Sequence, residues 1–296
     1  MRVKRRFDLN TIREKYSLFF ILIIFFIICS LANRNFLTVR NLTNILRQQT
    51  VVVILAFGAM LLIVGGMIDL SIGAVLALSG CVSIIVYKIV PNMFLAFGVA
   101  IAVAVTCNFL NGLMVTIGRT PPFIATLAML TCARGLALLI CGGKNIYNIG
   151  NYNKVGQMDV FGFLPVTVIF MLVIMLIMYY ITVHRRFGRS VYAVGGNQDA
   201  ARASGINVKM VKMRAFLLNG VLIGICGVLY MSRVNGGLPN GANGYELDAI
   251  TAAIIGGTSF TGGEGTIIGT FMGAIIIGFL SNIMNLLTID SYVQQI

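Results

Sequence analysis

Long apolar runs without a single formal charge leave this chain few choices of fold. Residues from about Met93 to Ile117, Phe163 to Val183 and Ile267 to Leu287 contain no acid or base. As helices rising ~1.5 Å per residue, each could cross the ~30 Å hydrocarbon layer of a bilayer. Backbone in lipid must satisfy its own hydrogen bonds, and runs of this length do so as α-helices. Composition agrees: 58% of the 296 residues are hydrophobic and 10% charged, against about 25% charged in soluble domains. The fold class expected is an all-α polytopic membrane protein, with residues 1–296 forming one transmembrane domain and no sizeable soluble part.

The net charge of +13 does not call for nucleic acid. Membrane lipid and the bias of Lys and Arg toward cytoplasmic loops account for it. Six of the basic residues (Arg2, Lys4, Arg5, Arg6, Arg13, Lys15) lie in 1–16, and seven more (Arg185, Arg186, Arg189, Arg202, Lys209, Lys212, Arg214) in 184–214. Both blocks are therefore placed inside the cell. The six cysteines have no CxxC spacing and read as small buried hydrophobes. His184 is the single histidine, so no metal site and no cofactor are expected in this chain.

Taken in order, span 1 covers about Ser17 to Ala32. Ser30-Leu31-Ala32 looks like a signal-peptidase site, but the many later spans favour a retained first helix. Residues 33–47, with Arg34, Arg40 and Arg47, fall outside and are read as an amphipathic surface helix. Further spans follow at about Gln49–Gly66, Leu70–Tyr87, Met93–Ile117, Phe123–Cys141, Phe163–Val183, Ala215–Met231 and Ile267–Leu287, with a short apolar piece at Ala249–Gly257. Residues 142–162 and 232–248 read as external loops. Counting the short piece gives nine crossings.

The stretch 184–214 carries its own folding signals. Asn197 is a good N-cap, Asp199 suits the first turn, and Ala200, Ala201 and Arg202 are helix formers. Gly205 can end the helix in the left-handed region with Ile206 packing back, and Gly195 and Gly196 are expected to bend the chain beforehand. A helix of roughly two turns is marginal in isolation. It reads either as a solvated basic loop or as a docking helix for a soluble partner.

Two other segments resemble each other: IVGGMIDLSIG (63–73) and IIGGTSFTGG (254–263). Glycine-interrupted apolar segments in both halves of a transporter point to its pathway, although small residues also simply let helices pack closely. The polar groups in and near them, with those inside span 4, make Gly65, Gly66, Asp69, Ser71, Asn108, Asn111, Thr258 and Ser259 the pathway candidates. Asp69 and Arg134 are costly at membrane depth unless paired or near water. Asp69 at an interface, a pathway role, and an internal Asp69–Arg134 pair all remain open.

Several chemistries are missing. Gly143-Lys144 is followed by Asn145, so there is no P-loop, and no GxSxG, HExxH or Cys/His cluster occurs. Neither ATP hydrolysis nor another enzymatic reaction is expected of this chain.

The stretches 65–80, 121–138, 187–208 and 244–270 closely resemble the membrane permease of ribose-type sugar ABC importers, a likeness running from about Asn35 to Gln295. The resemblance implies a type II importer-like permease fold of about nine to ten transmembrane helices. It also implies a second permease copy in a homodimer, a sugar ATPase with two fused nucleotide-binding domains docking inside, and an extracytoplasmic sugar-binding protein. ATP would be used by that partner, and the chain would sit in the bacterial plasma membrane. Gly195, Gly196, Asn197, Ala200, Ala201, Arg202 and Gly205 map onto the segment that couples to the ATPase. Such permeases continue into a final apolar span, whereas this sequence stops at Ile296. An ATP-independent carrier or channel, and a non-transporting membrane protein, are the alternative readings.

Overall fold

The computed structural model describes residues 9–160, 162, 164–290 and 293–295, so the basic block expected at 1–16 falls partly outside the described residues. Seven of the described helices are long and apolar enough to cross a membrane. They are α2 (Val39–Val64), α3 (Ile72–Ile89), α4 (Met93–Thr116), α5 (Pro122–Ile140), α7 (Val166–His184), α10 (Val208–Arg233) and α12 (Ile267–Leu286). α1 (Leu9–Ala32) adds the shorter apolar stretch Ser17–Ala32.

Burial separates centre from rim. The most apolar window of α2 is 89% buried, and those of α10 and α3 are 78% and 72%. The windows of α4 and α5 are only 28% buried, and they turn Phe94, Leu95, Phe109, Phe123 and Ile124 outward. Such faces suit lipid, which is as apolar as the residues that meet it. α10 and α4 approach closely because Gly220 and Gly224 lie against the backbone at Ala104 and Ile101, the small-residue packing usual in membranes. α1 joins α12 through Phe26, Phe36 and Phe279, whose ring centroids stand 5.5–5.7 Å apart.

Residues 33–47 do not form a separate surface helix. α2 begins at Val39, capped by Thr38, whose hydroxyl accepts the Asn41 amide. A capped start ten residues before Gln49 puts Arg40 and Arg47 on a helical extension. Arg47 then pairs with Asp159 in the loop after α5.

That loop contains α6 (Lys154–Gln157) and a two-strand ribbon, β1 (Asp159–Val160) with β2 (Leu164–Pro165). It folds onto the other expected external loop. Ile146 and Gly237 form an antiparallel bridge, the Ser232 hydroxyl donates to the Tyr152 carbonyl at 2.7 Å, and the Gly156 amide donates to that hydroxyl at 2.7 Å. Tyr152 is fully buried.

The second loop also sinks into the protein. Arg134 donates through Nη1 to the carbonyls of Pro239 and Gly241, both at 2.8 Å. The chain then enters α11 (Tyr245–Ile255). Its 11 residues span about 16 Å, roughly half the hydrocarbon layer. The piece counted as a crossing in the sequence is therefore a half-length helix reached through buried, protein-paired backbone. Irregular backbone at membrane depth requires such pairing.

Candidate functional site

The basic segment folds largely as its capping residues dictate. α7 stops at His184, Arg185 is extended, and α8 (Arg186–Gly196) follows. Gly195 and Gly196 do not bend the chain, because both continue α8. The break comes at Asn197, at φ −156° and ψ 107°. α9 (Gln198–Ala203) starts there, with the Asn197 side chain accepting from the Asp199 and Ala200 amides at 3.0 and 2.9 Å. It ends in a paired stop: the Gly205 amide donates to the Arg202 carbonyl and the Ile206 amide to the Ala201 carbonyl. Asn207 caps α10 in turn. Within α9 only Ala201 is buried, while Gln198, Asp199, Ala200, Arg202 and Ala203 face outward.

The two glycine pairs of the sequence share one local structure. At the end of α2, Gly66 lies at φ 71°, with its amide on the Ile63 carbonyl and that of Met67 on Leu62. At the end of α11, Gly257 lies at φ 86°, with its amide on Ile254 and that of Thr258 on Ala253. The second glycine of each pair supplies the left-handed residue of the helix stop.

Beyond the first stop the chain turns into the protein. Asp69 accepts from the Ser71 amide at 2.8 Å and the Ser71 hydroxyl at 2.6 Å through Oδ1, and from Asn219 Nδ2 at 2.8 Å through Oδ2. Asn219 also reaches Asn108 Oδ1 at 3.1 Å, and Asn111 donates to the Ser71 hydroxyl at 3.0 Å. All five residues are at most 2% exposed. Asn219 stands 11 residues along α10 from Val208, about 16 Å along the helix from that end. Both Asp69 oxygens thus find hydrogen-bond donors inside the bundle. Arg134 binds carbonyls in the 232–248 segment, so the two do not form the internal pair.

Thr258 and Ser259 lie apart from this network, on the loop between α11 and α12. The Ser259 hydroxyl meets that of Thr261 at 2.7 Å, while buried Thr258 Oγ1 has no hydrogen-bond partner. Tyr192 of α8 reaches the same loop, donating to the Gly265 carbonyl at 2.7 Å. Burial raises the Tyr192 phenol above its ordinary pKa.

A family described as a branched-chain amino acid transport system permease component matches residues 41–295. The chain belongs to this permease family. Among curated relatives, the permease is 38% identical over 301 residues to the ribose import permease protein of Escherichia coli strain K12, covering 99% of this chain and 92% of the relative. It is 39% identical over 298 residues to the ribose import permease protein of Bacillus subtilis, with the same coverage. The D-allose transport system permease protein of Escherichia coli is 38% identical, across 99% of this chain and 90% of its own length. No solved structure matches the chain. The permease is thus a multi-pass protein of the bacterial inner membrane.

Two residues of the permease's interior escaped sequence reasoning. Asn219 completes the Asp69 network, and its signal was an amide inside the apolar run Ala215–Met231. Glu246 lies in the stretch 232–248 that reads as an external loop, yet it is 8% exposed, with Oε1 accepting the Gly244 amide and Oε2 unpaired. Nothing in its neighbourhood along the chain marks it as buried.

Proposed function

We propose that this permease is the membrane-spanning subunit of an ATP-driven importer of a ribose-like monosaccharide. The observation that carries the reading is α9: an exposed helix, fixed by a cap at each end, on a chain whose sequence contains no P-loop motif. Its relatives named for ribose and allose import supply the substrate class.

In this reading two copies of the permease form the pore, and a sugar-binding protein delivers substrate from outside. An ATPase with two fused nucleotide-binding domains docks on α9 inside. The permease itself holds no cofactor. Closure of the ATPase on ATP pulls α9, and the flanking helices α7 and α10 tilt and switch the pathway. The two ATPase states bias this equilibrium through their different contacts with α9, as any population shift requires. The network of Asp69, Ser71, Asn108 and Asn111 holds the 65–71 turn in place beside the pathway, while Gly65, Gly66, Thr258 and Ser259 shape the two interrupted ends.

Arg202→Glu reverses the charge on the outer face of α9 without touching its caps. Co-purification of the ATPase with the permease should fall, and ribose uptake into proteoliposomes containing all three components should fall with it. Undiminished ATPase binding by Arg202→Glu would remove α9 as the docking element.

A further inference from the structure

We propose that Gly195 is not part of the ATPase-contacting surface but the centre of a backbone-to-backbone joint. This joint carries movement of α8 and α9 to the ends of both α2 and α11–α12. The proposal rests on the coupling role of α9 and adds the route by which that role reaches the pore.

Three segments distant in sequence meet at Gly195. A Cβ added there would overlap the carbonyl oxygen of Val64, the last residue of α2, and would stand 2.7 Å from the Gly263 nitrogen. The Gly263 amide donates to that same Val64 carbonyl at 2.9 Å. A Cβ on Gly262 would come 2.9 Å from the Gly195 carbonyl oxygen, and one on Gly263 would come 2.8 Å from the Gly196 Cα. Only glycine permits backbones to approach this closely. Around the joint, Val191 of α8 lies against Gly65, and the Tyr192 hydroxyl holds the Gly265 carbonyl.

The consequence is mechanical. Side chains packed between two helices can change rotamer and absorb a displacement. Here no side chain intervenes, so the end of α8 cannot advance without moving Val64 and Gly262–Gly263. The contact continues into the bundle, where Gly256 meets the Gly269 backbone at the start of α12. On the α2 side the next residues lead to Asp69 and its partners. α8 is also tied to α9, since the Asn197 amide bonds the Ala193 carbonyl at 3.1 Å while its side chain caps α9. One displacement at α9 therefore reaches both interrupted segments together.

The glycine pair contains its own contrast. Gly196 is exposed, and a Cβ there would meet nothing within 4 Å. If the pair served the ATPase surface, Gly196 would be the sensitive position; if it forms the joint, Gly195 is.

Gly195→Ala and Gly196→Ala would be compared in the assembled transporter by ATPase co-purification, ribose uptake, and stimulation of ATP hydrolysis by loaded binding protein. The joint predicts that Gly195→Ala retains the ATPase but takes up ribose roughly tenfold more slowly than Gly196→Ala, the size of a typical coupling effect, and loses the stimulation. Equal uptake by the two variants, or loss of ATPase binding by Gly195→Ala, would overturn it. Should Gly195→Ala fail to fold, Tyr192→Phe decides: uptake about fivefold lower, the worth of one hydrogen bond, with ATPase binding intact supports the joint, and unchanged uptake overturns it. A failure of α9 docking would appear separately, as ATPase retained by Arg202→Glu.

Discussion

The ends of α2 and α11 are built alike and lead to opposite places. Each closes on a glycine pair, with the second glycine left-handed and two backbone bonds tying off the last turn. After α2, the chain re-enters the bundle and buries Asp69 and Ser71 among three asparagines. After α11, it runs to a loop where Ser259 bonds Thr261 and where buried Thr258 Oγ1 finds no partner. The same local motif thus leads in one case to a buried network in which both Asp69 oxygens accept hydrogen bonds while Asn111 Oδ1 and Asn219 Oδ1 stay unpaired, and in the other to a surface joint. The helix stop itself carries no functional information; what the following residues can bond does.

The comparison breaks most visibly at Asp69. Asp69→Ala removes the acceptor of the buried Ser71 amide and hydroxyl and of the Asn219 amide group, and should cost roughly 3 kcal/mol of stability at ~1–3 kcal/mol per unsatisfied group. Thermal unfolding in detergent, followed by a thiol-reactive dye on buried Cys81, Cys107 and Cys226, would show an earlier transition. An unchanged transition would mean that the network contributes nothing.

The likeness of the two ends can be sharpened by Gly66→Ala and Gly257→Ala. A Cβ at either position meets nothing within 4 Å, so only the left-handed backbone penalises it, by about 1 kcal/mol each. The two melting shifts should match, and clearly unequal shifts would show that the stops are not equivalent. The smallest effect is expected of Thr258→Val, which removes a hydroxyl that bonds nothing and should stay within about 0.5 kcal/mol of wild type. A loss as large as that of Asp69→Ala would reveal a partner for Thr258 in the assembled transporter.

Much of this architecture follows from local rules. The long apolar runs become helices because lipid offers the backbone no other partner. Asn197 and Gly205 delimit α9 because caps and left-handed stops act within a few residues. Where local signals mislead, a distant partner has intervened. Gly195 and Gly196, turn-like in sequence, both continue α8, and Gly195 does so in close contact with Val64 and Gly263. Residues 232–248, polar enough for an external loop, are drawn inward by Arg134 and by the loop around Tyr152.

The sequence by itself determined a helical membrane protein, the two glycine-interrupted segments and the capped helix at 197–205. All of these depend on composition or on bonds between near neighbours. Only the tertiary structure decided that Asn219 completes the Asp69 network across 150 residues, that Glu246 is buried, and that Gly195 touches both interrupted segments. Those contacts depend on how α2, α4, α8, α10 and α11 pack against one another, and hydrogen bonds between residues so far apart leave no mark in the spacing of either.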